Sequence, residues 1–239
     1  SEKTKVLMAE LYGAEKAEEN RERYRYVAER FEKTYGERDI KLFTSPGRTE
    51  ISGNHTDHNH GRVLAASVNL DVIAVAAPRA DGRVRVKSKG YDMDEVSLDD
   101  LDVRDAEKNH SAALVRGTAA RFAQLGYRVG GFDAYTTSDV LKGSGLSSSA
   151  AFETIVGTML NCLYAGGAAT PVQIAQIGQY AENAYFGKPS GLMDQMGCSV
   201  GGFITIDFQN PEKPVVEKVD FDFAHSGYKL CVVDTGGNH

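Results

Sequence analysis

Lys142-Gly-Ser-Gly-Leu-Ser-Ser-Ser-Ala-Ala151 sets two glycines and four serines, three of them adjacent, before an apolar run that continues through Phe152 to Val156. The alternating stretch Phe132 to Ser138 before it reads as a strand, and the run after it as a buried helix. Glycines allow a tight turn and close approach of the backbone to a ligand. Serines are good N-caps, and a helix start offers free N–H groups and the positive end of its dipole. The spacing therefore suits an anion site, most simply for phosphate, although a serine-capped strand-to-helix turn would share it. The Gly-Lys-Ser/Thr of nucleotide-binding P-loops is missing, and so is a Gly-x-Ser-x-Gly nucleophile elbow. Adjacent hydroxyls without a neighbouring base imply binding rather than attack.

Two further polar stretches could carry chemistry. Arg48 to Gly61 holds His55, Asp57, His58 and His60, the densest group of possible ligands in the chain. A zinc site is one reading. However, the other histidines, His110, His225 and His239, are scattered. A plain polar loop is a second reading. In a third, Asp57 and His55 hydrogen-bond a polyhydroxyl ligand. Farther along, Asp194 lies between Met193 and Met196 in a glycine-framed turn, after a helix that bears Glu182. It is either a partly desolvated base or a cap for the next element.

The elements that must hold these stretches follow from pattern. Val6 to Tyr35 reads as two helices, with breaks suggested at Gly13 and Asn20. Ile40 to Thr44 reads as a short strand closed by Ser45-Pro46-Gly47, and Arg62–Ala66 and Val72–Ala77 read as apolar strands. Asp81-Gly82 signals a hairpin before the alternating Arg83 to Lys87. Residues 89–108 read as an acidic loop, and Ala112 to Leu125 as an amphipathic helix. Ala151–Tyr164 and Val172–Tyr185 read as helices, the second started by Thr170-Pro171. Gly187 to Gly197 reads as a polar loop. Strands are expected at Phe203–Asp207, Val215–Val219 and Tyr228–Asp234.

Composition sets the bounds. The chain has 239 residues, 41% hydrophobic and 25% charged, as in ordinary globular proteins. Its net charge of −6 speaks against a nucleic-acid surface. No apolar run reaches the roughly 18 residues of a membrane span, and the N-terminus is no signal peptide. Cys162, Cys198 and Cys231 read as buried thiols, which implies a reducing, cytoplasmic setting.

Taken together, the polar stretches resemble the GHMP small-molecule kinases, and within them the galactokinases. Pro46-Gly-Arg-Thr-Glu-Ile-Ser-Gly-Asn-His-Thr-Asp-His-Asn-His-Gly61 resembles the pattern Pro-Gly-Arg-x-Asn-Leu-Ile-Gly-Glu-His-Thr-Asp-Tyr-Asn-x-Gly. Gly143 to Ala151 is similar to the family's phosphate loop, and Ala181 to Gln195 to its segment ending Met-Asp-Gln. The resemblance runs from about residue 40 to the end.

It implies an α+β fold of the ribosomal protein S5 domain 2-like kind. A helical segment, residues 1–40, would precede a GHMP kinase N-terminal domain, residues 41–239, truncated before a C-terminal domain. It further implies phosphorylation of galactose at the C1 hydroxyl by ATP with Mg²⁺. Asp194 would be the base and Arg48 its partner, stabilising the transferring phosphoryl group. Asn54, His55, Thr56, Asp57 and Gly191 would meet the sugar. Gly143, Ser144, Gly145, Leu146, Ser147, Ser148 and Ser149 would wrap the nucleotide phosphates, with Ser149 and Glu182 on the metal. Residues 1–239 alone are expected to be inactive.

The sequence departs from the family pattern at Glu50, where Asn is usual, at Asn54, where Glu is usual, and at His58, where Tyr is usual. A kinase for a related, for example N-acetylated, sugar and a non-catalytic galactose and ATP sensor therefore stay open.

Overall fold

The computed structural model describes residues 2–140, 143–223 and 225–233. Its centre is a long strand, β2 (Arg62–Pro78). β1 (Lys41–Ser52) pairs with it antiparallel almost end to end. β5 (Phe132–Ser138) takes the remaining edge over Val72–Pro78, and β6 (Phe203–Asp207) takes it over Arg62–Ala66. β3 (Arg83–Ser88), β4 (Met93–Ser97) and β7 (Val215–Val219) complete a seven-stranded sheet. Among the described residues only β3 and β5 run parallel. The mixed sheet and helices are the α+β class that the resemblance implied.

β2 explains why Val72–Ala77 is uniformly apolar instead of alternating. Ile73, Val75 and Ala77 meet Met8, Tyr24, Val27 and Phe31 of two N-terminal helices, α1 (Glu2–Tyr12) and α2 (Ala17–Tyr35). Val72, Ala74 and Ala76 face the main core on the other side, with Ile155 and Met159 of α4 (Ser148–Leu163) and Phe122 of α3 (Ser111–Gln124). A strand covered on both faces loses the polar half of its pattern.

Buried polar groups fasten the N-terminal helices. Asp71 of β2 accepts from Tyr12 Oη at 2.5 Å, Thr44 Oγ1 at 2.6 Å and Arg23 Nη1 at 2.9 Å. Arg23 also reaches Asp139, whose N–H donates to the Asp71 carbonyl, so these helices grip the strand end just before the glycine-serine stretch.

Several expectations are corrected. β1 does not close at Ser45-Pro46-Gly47; a register shift after Pro46 absorbs the missing N–H and the strand runs on to Ser52. Arg62–Ala66 and Val72–Ala77 form one strand. Asp81-Gly82 turns the chain but makes no hairpin, because β5 inserts between β2 and β3. The acidic stretch 89–108 contains β4, for which one buried residue, Val96, suffices on the sheet edge. Asn20 lies inside α2, its amide bonded to the Lys16 carbonyl. Residues 228–233 form no strand, since alternation supplies no partner edge; Asp234 and His239 fall outside the described residues. Only Cys198 is a buried thiol; Cys162 and Cys231 are exposed. Thr170 does cap α5 (Pro171–Ala181), in a full capping box with Gln173.

Removing a buried charge's partner typically costs about 3–5 kcal/mol. Asp71→Ala is therefore expected to lower unfolding stability by roughly 3 kcal/mol, read as a shifted urea midpoint. An unchanged midpoint would mean that the Asp71 cluster does not hold the N-terminal helices.

Candidate active site

Arg48, on β1 just past the register shift, is almost fully covered, its side chain 8% exposed. Its backbone N–H donates to the Leu146 carbonyl at 3.1 Å and its Nη1 to the Gly145 carbonyl at 2.8 Å. Its Nε and Nη2 lie 2.8 Å and 2.5 Å from Asp194 Oδ1. One guanidinium thus ties the glycine-serine loop to the carboxylate. Gly197 permits the approach, because a Cβ there would come within 2.7 Å of Arg48 Cβ.

Asp194 is not in a polar loop. It sits in the first turn of α6 (Met193–Val200), with its side chain 34% exposed. Its second oxygen, Oδ2, accepts from Ser147 Oγ at 2.5 Å. Ser147 occupies the N-cap position of α4 in a left-handed conformation, φ 62°, and its hydroxyl caps nothing. The expected serine cap is therefore replaced by a bond across the cleft. The first bond of α4 runs from Ala151 N to the Ser147 carbonyl, leaving the N–H groups of Ser148, Ser149 and Ala150 without intrahelical partners. Gly143 and Gly145 hold φ 78° and 73°, with open space where a Cβ would stand. The loop needs glycine there for its backbone, not for room. Lys142 lies outside the described residues.

Behind the loop, Ser149 Oγ donates to Glu182 Oε1 at 3.1 Å. Glu182 begins a single π-helical turn, Glu182–Phe186, directly after α5. Gln195, fully buried beside Asp194, donates from its one amide nitrogen to Glu182 Oε2 at 2.9 Å and to Glu153 Oε2 at 3.1 Å. Burial first, and then the Glu182 charge, push the Glu153 carboxyl well above the ordinary range. The α6 turn thus presents Asp194 to the cleft and Gln195 to the carboxyl pair beneath it.

The opposite wall is the loop after β1, with a 3-10 turn at Thr56–Asn59. Asp57 is buried; its Oδ2 accepts from Met193 N at 3.3 Å and its Oδ1 lies 3.3 Å from His58 Nδ1. Its carboxylate lies against Gly191, where any Cβ would collide with it. Thr56 Oγ1 donates to the Gly53 carbonyl. Asn54 and His55 are exposed. Among the described residues no three His, Cys, Asp or Glu side chains converge as a metal cage. His55 turns to Glu50 and His58 to Asp57.

The three polar stretches are thus brought together: Arg48 and Asp194 meet at the mouth of α4, Asp57 meets Gly191, and Ser149 meets Glu182. Glu50, Glu153 and Gln195 were not singled out as site residues. A lone carboxyl in the apolar run of α4 was the available signal for Glu153.

Fold and site together define a kinase domain of the GHMP type. The model of the GHMP kinases N terminal domain matches residues 113–202, and the galactokinase galactose-binding signature matches residues 29–78. A galactokinase of Streptomyces coelicolor is 34% identical over 216 residues, covering 89% of this chain and 55% of the relative. A galactokinase of Lactobacillus helveticus is 36% identical over 178 residues, 73% of this chain and 46% of the relative. The crystal structure of Lactococcus lactis galactokinase complexed with galactose superposes with TM-score 0.72 at 29% identity, over 81% of this chain and 51% of that one. The chain belongs to the galactokinase family, and it spans about half the length of the curated relatives it matches.

A raised carboxyl pKa makes stability pH-dependent. The contribution of Glu153 is full below the ordinary value of 4.5 and is lost as pH rises toward its folded pKa. Glu153→Gln keeps the acceptor for Gln195 but cannot ionise. It is expected to flatten the fall in stability between about pH 5 and pH 8, measured by urea unfolding at both. Parallel pH profiles for the two proteins would show that Glu153 is not held neutral.

Proposed function

We propose that this chain serves ATP-dependent phosphorylation of galactose at its C1 hydroxyl. The observation that carries the reading is the Arg48–Asp194 pair, joined through Ser147 to the start of α4. Phosphoryl transfer requires an oriented nucleophile, fixed positive charge and a place for the nucleotide's phosphates, not a covalent intermediate.

Each requirement has a group on this chain. The α4 N–H groups and the loop Gly143, Ser144, Gly145, Leu146, Ser147, Ser148 and Ser149 would receive the phosphates, with the helix dipole favouring negative charge. Asp194, a third exposed at the cleft, would accept the hydroxyl proton at a carboxylate oxygen. Its Oδ2 is the oxygen that Ser147 now occupies, so the sugar hydroxyl would share or displace that bond. Arg48 would keep the carboxylate oriented and offset charge developing on the transferring group.

Asp57, His55, Thr56, Asn54 and the Gly191 backbone would position the sugar. The Ser149 hydroxyl and the Glu182 carboxylate are hard oxygen donors within 3.1 Å of each other. That pair fits Mg²⁺, which commonly takes one or two protein oxygens and completes its shell with phosphates and water. The bound ion would neutralise phosphate charge.

The Lactococcus lactis relative was solved with galactose, which supports that sugar here. Asn54 and His58 favour testing a wider set, including N-acetylated sugars.

Asp194→Ala, in the active protein, is expected to lower kcat by about 10²–10⁴-fold while nucleotide binding persists. Steady-state phosphorylation of a sugar panel, with nucleotide titration alongside, reads both. Near-normal turnover would remove Asp194 as base.

A further inference from the structure

Three consecutive residues of the β1–β2 connection hold positive φ: Gly53 at 135°, Asn54 at 54° and His55 at 51°. Only the first is glycine, and side-chain-bearing residues persist in that region when their surroundings hold them there. The group that holds this run is Glu50. Its Oε1 accepts from His55 N at 3.0 Å, and its Oε2 lies 3.2 Å from His55 Nε2. One carboxylate therefore grips both the backbone and the ring of a single residue. The Glu50 side chain is 12% exposed and that of His55 is 64% exposed, so the carboxylate sits inside while the imidazole reaches solvent. Thr56 closes the other side of the run through the Gly53 carbonyl. Two residues beyond His55, Asp57 meets the start of α6. The loop is thus suspended between two carboxylates, Glu50 and Asp57.

We propose that Glu50 is the positioning carboxylate of the sugar-binding loop, holding His55 in the conformation that offers its ring to a sugar hydroxyl. This rests on the sugar-kinase reading above.

The test uses the full protein as wild type, Glu50→Ala and Glu50→Gln. Initial rates are measured against galactose and ATP, and amide hydrogen exchange is followed at His55. Glu50→Ala is expected to raise KM for the sugar roughly tenfold or more, as for loss of a charged hydrogen bond. KM for ATP is expected to stay within about twofold, since the Glu50 carboxylate is bonded to His55. His55 exchange should quicken in Glu50→Ala but not in Glu50→Gln, which keeps the acceptor.

An unchanged sugar KM in Glu50→Ala overturns the proposal. If the wild type phosphorylates no sugar, the sugar-kinase reading falls with it. His55 exchange then decides the bracing alone: unchanged in Glu50→Ala, it overturns the role of Glu50, and faster, it supports it.

Discussion

The guanidinium of Arg48 is the joint on which the site turns. It holds the Gly145 carbonyl and one oxygen of Asp194 while the backbone N–H of the same residue holds the Leu146 carbonyl, so three elements distant in sequence meet at one residue. Each partner alone would be poorly placed. The loop has two glycines at positive φ and little side-chain mass to fix it, and Asp194 sits, a third exposed, in the first turn of a short helix. Burial of Arg48 between β1 and α6 makes the joint rigid, because its donors have few competing water partners. Much of the architecture serves this placement. β1 continues past Pro46 so that Arg48 arrives beneath the loop, and Gly197 leaves room for its side chain.

Beneath the cleft, a buried polar layer does comparable work for α6. Gln195 uses both hydrogens of one amide on two carboxyl groups, and those groups come from α4 and the π turn after α5. Burial, and after it the neighbouring Glu182 charge, push the Glu153 carboxyl well above the ordinary carboxylate range. Ser149 and Glu182 are thereby kept at the same end of α4 as the free helix N–H groups. The helix start, the hydroxyl and the carboxylate form one anion-and-cation corner.

The three polar stretches were legible as chemistry because their residue types have few other uses. Glycine and serine clustered before an apolar helix, and an aspartate framed by methionines and glycines, are conspicuous in a chain of ordinary composition. Roles within them were less legible. Ser147 reads as a helix cap, yet its hydroxyl crosses to Asp194. Gln195 and Glu153 carry no signal of partnership, since they lie 42 residues apart and meet only when α6 packs on α4. Glu50 was visible as a departure from the family pattern. Its grip on His55 depends on a left-handed backbone that composition does not announce.

Sequence by itself determined the longer helices, most strands, the three chemical stretches and their family likeness, because periodicity, caps and motif residues are local properties; the short α6 it read as a loop. Tertiary structure alone decided that β1 runs through Pro46, that β5 separates β2 from β3, and that the apolar tail at 228–233 pairs with nothing among the described residues. It also decided which donor meets which carboxylate. Those outcomes depend on which edges and faces are already occupied, and on desolvation that arises only once distant segments are packed together.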